Sequence, residues 1–203
     1  MTSYYTYLVK EPKLSKDGLP DLTGFKMRAT GTYRPLFRAL GATTINIKTS
    51  ELITAVQRGT VDGFGFTDVS LPALGMHKVT KFRIKPNYYQ GNTVETINLA
   101  TWASLTKSQK DQLNRLAIEF ETSSVLFVDA ERLREEKIIK KAGVKDIVLK
   151  GAAGAKYLEI AHGEIWKELK DRSKYHDQLK RLLYKEGKPD RQVNISRKLD
   201  MKR

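Results

Sequence analysis

Phe25-Lys-Met-Arg28-Ala-Thr-Gly31 and Val61-Asp-Gly-Phe-Gly-Phe66 frame the most informative stretch of this chain. Residues 25–29 read as a strand, and residues 61–66 form a second strand interrupted by two glycines. Between them, residues 32–40 read as a short helix that tolerates Pro35 in its first turn and ends at Gly41. Residues 44–47 are a β-branched strand, and residues 51–58 a helix capped by Thr49 or Ser50 and stopped by Gly59. Strands that alternate with helices of about ten residues specify an α/β layer with a partly parallel sheet.

Working outward, residues 4–9 are aromatic and β-branched enough for a strand, and residues 14–21 form a turn around Gly18 and Pro20. Residues 79–84 and 93–99 read as two extended segments joined by Lys85-Pro-Asn-Tyr-Tyr-Gln-Gly-Asn92. Thr106 and Gln109 have capping-box spacing, and helix-compatible sequence then continues from 107 to 142, with Gly143 as the C′ residue. Such a helix is about 50 Å long. Leu113, Leu116, Ala117, Phe120, Ser124 and Phe127 share one face of it, and the stripe fades around residues 130–136. A helix lying across two subdomains fits this pattern better than a coiled coil. Residues 145–149 follow as a strand, residues 151–154 as a glycine loop, and residues 157–184 as one or two helices with Leu158, Trp166, Leu169 and Leu179 inward.

The chain has 203 residues, 37 of them Lys or Arg and 23 Asp or Glu, for a formal charge of +14. That surplus draws anions without naming one. The absence of cysteine removes disulfides, thiolate metal sites and a cysteine nucleophile. No apolar run approaches the roughly 18 residues of a membrane span, and the first ten residues lack the pattern of a signal peptide. His77 and His176 lie among lysines without a serine nucleophile motif. Glu159 and His162 have the spacing of half a di-metal site, but no second half exists, so a surface pair is the plainer reading. Gly63-Phe-Gly65 lacks the phosphate-binding turn of a nucleotide fingerprint. No catalytic residue, metal or cofactor is expected. Residues 167–203 carry 13 basic and 6 acidic side chains, so a second reading is a basic protein that binds nucleic acid or an anionic surface through its C-terminal tail.

Arg28 stands at the C-terminal end of its strand, where ligand sites of open α/β sheets lie, and its planar fork suits a carboxylate. Asp21-Leu-Thr-Gly24-Phe-Lys-Met-Arg28, then Ala39-Leu-Gly41-Ala42, then Glu51-Leu-Ile-Thr-Ala55-Val-Gln57-Arg-Gly59-Thr-Val61-Asp62-Gly63 resemble the solute receptors of TRAP (tripartite ATP-independent periplasmic) transporters, the dicarboxylate-binding-protein family. Lys78-Val-Thr-Lys-Phe82 and Thr101-Trp-Ala-Ser-Leu105 extend the resemblance, which covers residues 5–150.

The resemblance implies two lobes around a cleft that captures a small organic acid and passes it to a membrane permease. Arg28 would be the carboxylate anchor, with Gly31, Thr49 and Phe66 as further ligand-binding positions. It also implies a layout: residues 1–91 as the second lobe, 92–131 as a hinge strand and long-helix part of the incomplete first lobe, 132–187 as a return to the second lobe, and 188–203 as a basic tail. Family members begin with an export signal and most of a first lobe, so this chain is expected to bind its acid weakly or not at all alone. Its location is periplasmic by resemblance, or cytoplasmic if Met1 is the true start. No nucleic-acid partner is implied. Phe66 stands where the family often has a polar residue and Ile53 where it often has an aromatic one, which favours a less hydroxylated, aromatic or branched acid.

Overall fold

Tyr7 and Leu8 are adjacent and both fully buried, yet they belong to different cores, because successive side chains of a strand leave opposite faces of the sheet. They end β1 (Thr2–Leu8), the antiparallel centre of a six-stranded sheet in a computed structural model that describes residues 1–184. The other strands of that sheet are β4 (Lys26–Arg28), β5 (Thr43–Ile45), β6 (Gly63–Thr67), β7 (Phe82–Gly91) and β8 (Lys145–Val148). The strand order is β5-β4-β6-β1-β7-β8. β1 runs antiparallel to β6 and β7, whereas β4 is parallel to β5 and β6, and β7 is parallel to β8. A separate two-stranded ribbon pairs β2 (Lys13–Leu14) with β3 (Pro20–Asp21). The result is the mixed, flanked sheet of a periplasmic-binding-protein lobe.

One face of the sheet carries α1 (Arg34–Ala39) and α5 (Gly151–Leu169), which bury Leu36, Phe37, Tyr157 and Ala161 with Leu8, Met27 and Ile84. The other carries α2 (Leu52–Gln57) and the C-terminal end of α4 (Lys107–Lys141), which bury Leu52, Val56 and Ile139 with Tyr7, Val61 and Phe64. Tyr7 stacks on Phe64 across the β1 and β6 pair at 5.5 Å. The glycines of β6 permit these close layers. A Cβ on Gly63 would stand 2.6 Å from the Tyr7 carbonyl oxygen, and one on Gly65 would fall inside the Tyr88 hydroxyl and 2.6 Å from the Tyr33 ring.

Thr106 and Gln109 form the expected capping box at the start of α4. Hydrogen bonds and ion pairs from α4 to the sheet and its loops begin only at Arg132, which reaches Asp68 at 2.6 Å. Glu135, buried, accepts from the Ser70 backbone N–H at 2.9 Å and so holds a residue of positive φ; burial raises its carboxyl above the ordinary range. Glu136 and Asp146 both grip Arg83 of β7, at 2.8 and 2.7 Å. Arg83 hydrogen bonds hold the Glu136 carboxyl below its usual range; at Asp146 burial acts upward and is outweighed by bonds from Arg83 and Lys85. Leu116, Phe120, Leu126 and Phe127, farther up the helix, are exposed.

Four local expectations are corrected. Residues 93–98 form no strand, since none of the described residues pairs with them; Asn98 instead caps α3 (Leu99–Ser104) by accepting from Ala100 N–H at 2.8 Å. The strand before them is longer than expected, because Lys85-Pro-Asn-Tyr-Tyr-Gln-Gly91 continues β7 and pairs with β1 and β8. Residues 151–154 are the first turn of α5, and Gly154 lets that turn close on the residue just after β8, where a Cβ would meet the Leu149 carbonyl at 2.6 Å. Leu179 of α6 (His176–Leu183) is exposed, and the buried residue of that short helix is His176, bonded to the Trp166 carbonyl. No helix among the described residues is long and apolar enough to cross a membrane. The basic tail at 188–203, and with it most of the second reading, lies outside the described residues.

Candidate functional site

Arg28 is the last residue of β4, and the chain turns away immediately afterwards, so its side chain meets the open end of the parallel strands. It is only 5% exposed. Nε donates to the Ile47 carbonyl at 2.9 Å, Nη1 to the Tyr33 hydroxyl at 2.6 Å and Nη2 to the Thr49 hydroxyl at 3.1 Å. Tyr33 passes its own proton on to the Gly65 carbonyl at 2.9 Å. Burial raises the Tyr33 phenol above its ordinary value while Arg28 opposes that shift, so Tyr33 remains a neutral donor. Thr49 is one of the two residues, with Ser50, expected to cap the next helix. It lies instead in a 3₁₀ turn (Thr49–Glu51) ahead of α2 and turns its hydroxyl to Arg28, while Glu51 occupies the α2 cap without a side-chain cap bond.

Among the described residues, no carboxylate lies within 4.0 Å of Arg28. The contrast is with Arg83, which is 3% exposed and has two carboxylates. A buried cation held only by neutral acceptors keeps most of its desolvation cost, and the guanidinium has five N–H donors, of which three bonds are accounted for. Its remaining donors can receive one anionic group.

Arg28 borders a cavity of about 690 Å³, within the size range of small-molecule sites. Thr49 and Phe66 line the same cavity, and Gly31 does not; Gly31 lies in the turn after β4, with Arg172 Nη1 3.9 Å from where its Cβ would be. The sequence reading missed the rest of the wall. Tyr4, Tyr33, Tyr88, Tyr89 and Trp166 converge there from β1, β7, α5 and the loop before α1. These rings touch in succession: Tyr33 lies 6.2 Å from Tyr4 and 6.1 Å from Tyr88, and Tyr88 lies 5.0 Å from Tyr89. The only hint in the sequence was the density of tyrosine at both ends of the first ninety residues. His162, expected as a surface residue beside Glu159, also lines the cavity. No cluster of His, Asp and Glu suited to a metal ion occurs among the described residues.

Among the described residues, a mixed α/β sheet thus holds a buried arginine without a carboxylate partner beside an aromatic cavity. The chain belongs to the bacterial extracellular solute-binding proteins of family 7, which it matches over residues 17–172. The match therefore runs past residue 150, where the resemblance read from sequence had stopped. A TRAP periplasmic solute-binding protein of Desulfovibrio salexigens, solved with orotic acid, is similar at a TM-score of 0.72 and 20% identity, over 89% of this chain and 58% of that one. The counterpart from Rhodoferax ferrireducens, solved with malonate, gives 0.68 and 18% over 91% and 61%. One from Pseudomonas putida F1, solved with D-glucuronate, gives 0.65 and 23% over 93% and 60%. The chain spans about three-fifths of the length of these receptors. The family is one of solute receptors, and these members are periplasmic.

Proposed function

We propose that this chain captures a small organic acid for a TRAP-type transporter, with Arg28 holding the carboxylate and Thr49 and Phe66 shaping the site around it. The observation that carries this reading is the buried Arg28 without a counter-ion among the described residues, at the edge of a cavity of ligand size. Two charge-assisted bonds to a carboxylate contribute about 3–6 kcal/mol, of the same order as the cost of immobilising a ligand. Affinity beyond that comes from enclosure, and the chain spans three-fifths of the length of its solved relatives. Weak but measurable binding, with a dissociation constant weaker than about 1 mM, is the expectation for the chain alone. An apolar Phe66 favours an aromatic or branched body over a polyhydroxylated one. The role is recognition and delivery, with the membrane permease as partner and the periplasm as location; no residue is assigned a catalytic part. In the same reading residues 1–91 and 132–184 form one lobe and residues 92–131 belong to the other; residues 185–187 of the expected layout lie outside the described residues.

Nuclear magnetic resonance titration of the labelled chain with phenylacetate and with its uncharged amide tests this. The acid should move the Arg28 Hε signal and those of the residues around the cavity, the amide should not, and Arg28→Met should erase the response. Shifts scattered over the basic surface, suppressed by salt and unaffected by Arg28→Met, would assign the interaction to net charge instead.

A further inference from the structure

Tyr157 and Ala161 bury one side of α5 in the core, and the next residue, His162, is thereby delivered to the wall of the cavity. Its ring is held from two directions. Nε2 lies 3.0 Å from the Tyr88 carbonyl oxygen, and the ring plane is within 14° of that of Tyr89, at 5.9 Å. Tyr89 is itself tied to α5, because its hydroxyl donates to the Ala161 carbonyl at 2.7 Å. A histidine so constrained is a placed group, unlike a solvated side chain on a charged helix.

The carbonyl of Tyr88 only accepts, so Nε2 must carry the proton of that hydrogen bond. In the neutral imidazole the other nitrogen, Nδ1, is then a bare acceptor. Nδ1 of His162 makes no hydrogen bond to any described residue, and it is not sealed in the interior as Nδ1 of His77 is. Two polar groups of opposite character thus border the cavity: Arg28 offers only donors, His162 carries an acceptor, and the run of rings from Tyr33 through Tyr88 to Tyr89 links them.

We infer that His162 is a second recognition residue of this cavity and that it reads a hydroxyl group on the bound acid, remote from the carboxylate, through Nδ1. The inference rests on the acid-capture reading above and narrows it. The ligand has a carboxylate at one end, a flat apolar body, and a hydrogen-bond donor at the other end. One hydrogen bond of this kind corresponds to about three- to tenfold in affinity.

The test uses the full chain with ¹⁵N-labelled histidine, whose spectrum contains only His77, His162 and His176. The probes are 3-hydroxyphenylacetate, 4-hydroxyphenylacetate and phenylacetate. In the free chain, His162 should show a protonated Nε2 and an unprotonated Nδ1. At least one hydroxy acid should bind about three- to tenfold tighter than phenylacetate and move the Nδ1 resonance in the direction of an accepted hydrogen bond. His162→Phe should bring the affinity ratio to one, and His162→Gln, which keeps both a donor for Tyr88 and an acceptor, should restore part of it. A histidine that merely braces α5 on β7 would leave the ratio and the Nδ1 signal unmoved. No hydroxyl preference in the wild type, or one that survives His162→Phe, overturns the inference and leaves acid capture intact. Failure of all three acids to shift cavity residues, or shifts that survive Arg28→Met, overturns the acid-capture reading and this one with it.

Discussion

Two arginines of nearly equal burial, Arg28 at 5% exposure and Arg83 at 3%, should respond very unequally to the same substitution. Arg83 makes four hydrogen bonds to two carboxylates, at 2.7 and 3.1 Å to Asp146 and at 2.8 and 2.9 Å to Glu136. Arg83→Met leaves both carboxylates half-buried and removes the clasp that joins β7, β8 and α4. Breaking a buried ion pair costs about 3–5 kcal/mol. Lys85 remains 2.7 Å from Asp146 and both acids retain some solvent, so the lower end, about 3 kcal/mol, applies. Arg28→Met loses three bonds to neutral acceptors, and it also relieves a buried, unpaired charge of a penalty that is itself several kcal/mol. Tyr33 keeps its bond to the Gly65 carbonyl. The two effects offset to within about 1 kcal/mol. For a chain of this size 1 kcal/mol moves the midpoint by about 2–4 °C. Calorimetric unfolding at pH 7 without ligand should therefore place Arg83→Met about 6–12 °C below wild type and Arg28→Met within about 4 °C of it. An equal loss in both variants would refute the argument, because it would make Arg28 a structural residue whose neutral hydrogen bonds hold the lobe together.

The same clasp sets the acid limb of stability. The carboxyls of Glu136 and Asp146 are depressed in the folded state, so their contribution is complete above the ordinary carboxylate range and is lost as pH falls through their folded values; urea midpoints should drop below about pH 4 in wild type and flatten in Arg83→Met. Gly65→Ala sets a Cβ 2.6 Å from the Tyr33 ring and inside the Tyr88 hydroxyl, and should destabilise the chain by about 1–3 kcal/mol in denaturant titration; an unchanged midpoint would show that the two rings yield freely. Thr106→Ala removes the capping box of α4 and should raise hydrogen exchange at residues 107–112 while leaving the global midpoint within about 0.5 kcal/mol, since this end of the helix makes no hydrogen bond or ion pair to the sheet; a global loss would show that the helix end supports the core.

The sequence by itself determined the local elements and the chemistry of one residue. The alternation of short strands and helices across residues 25–66, the glycine stops after α1 and α2, and the capping box at Thr106 are written in nearest-neighbour preferences, and they reappear in place. Arg28 could be singled out because a strand end before a glycine turn is itself a local feature. Residues 93–99 were misread as an extended segment because β propensity records a fit to a sheet surface, and whether a neighbouring strand exists is not local information. Residues 151–154 were misread as a loop because glycine frees the backbone in isolation, whereas here it admits the Leu149 carbonyl that a Cβ would exclude.

Only the tertiary structure decided that the arginine stands without a carboxylate among the described residues and that Tyr4, Tyr33, Tyr88 and Tyr89 form one wall. It alone turned His162 from a surface residue into a fixed acceptor. Those facts depend on which side chains from distant parts of the chain share a face. Burial and unpaired charge are properties of that assembly, and periodicity along the chain carries no record of them.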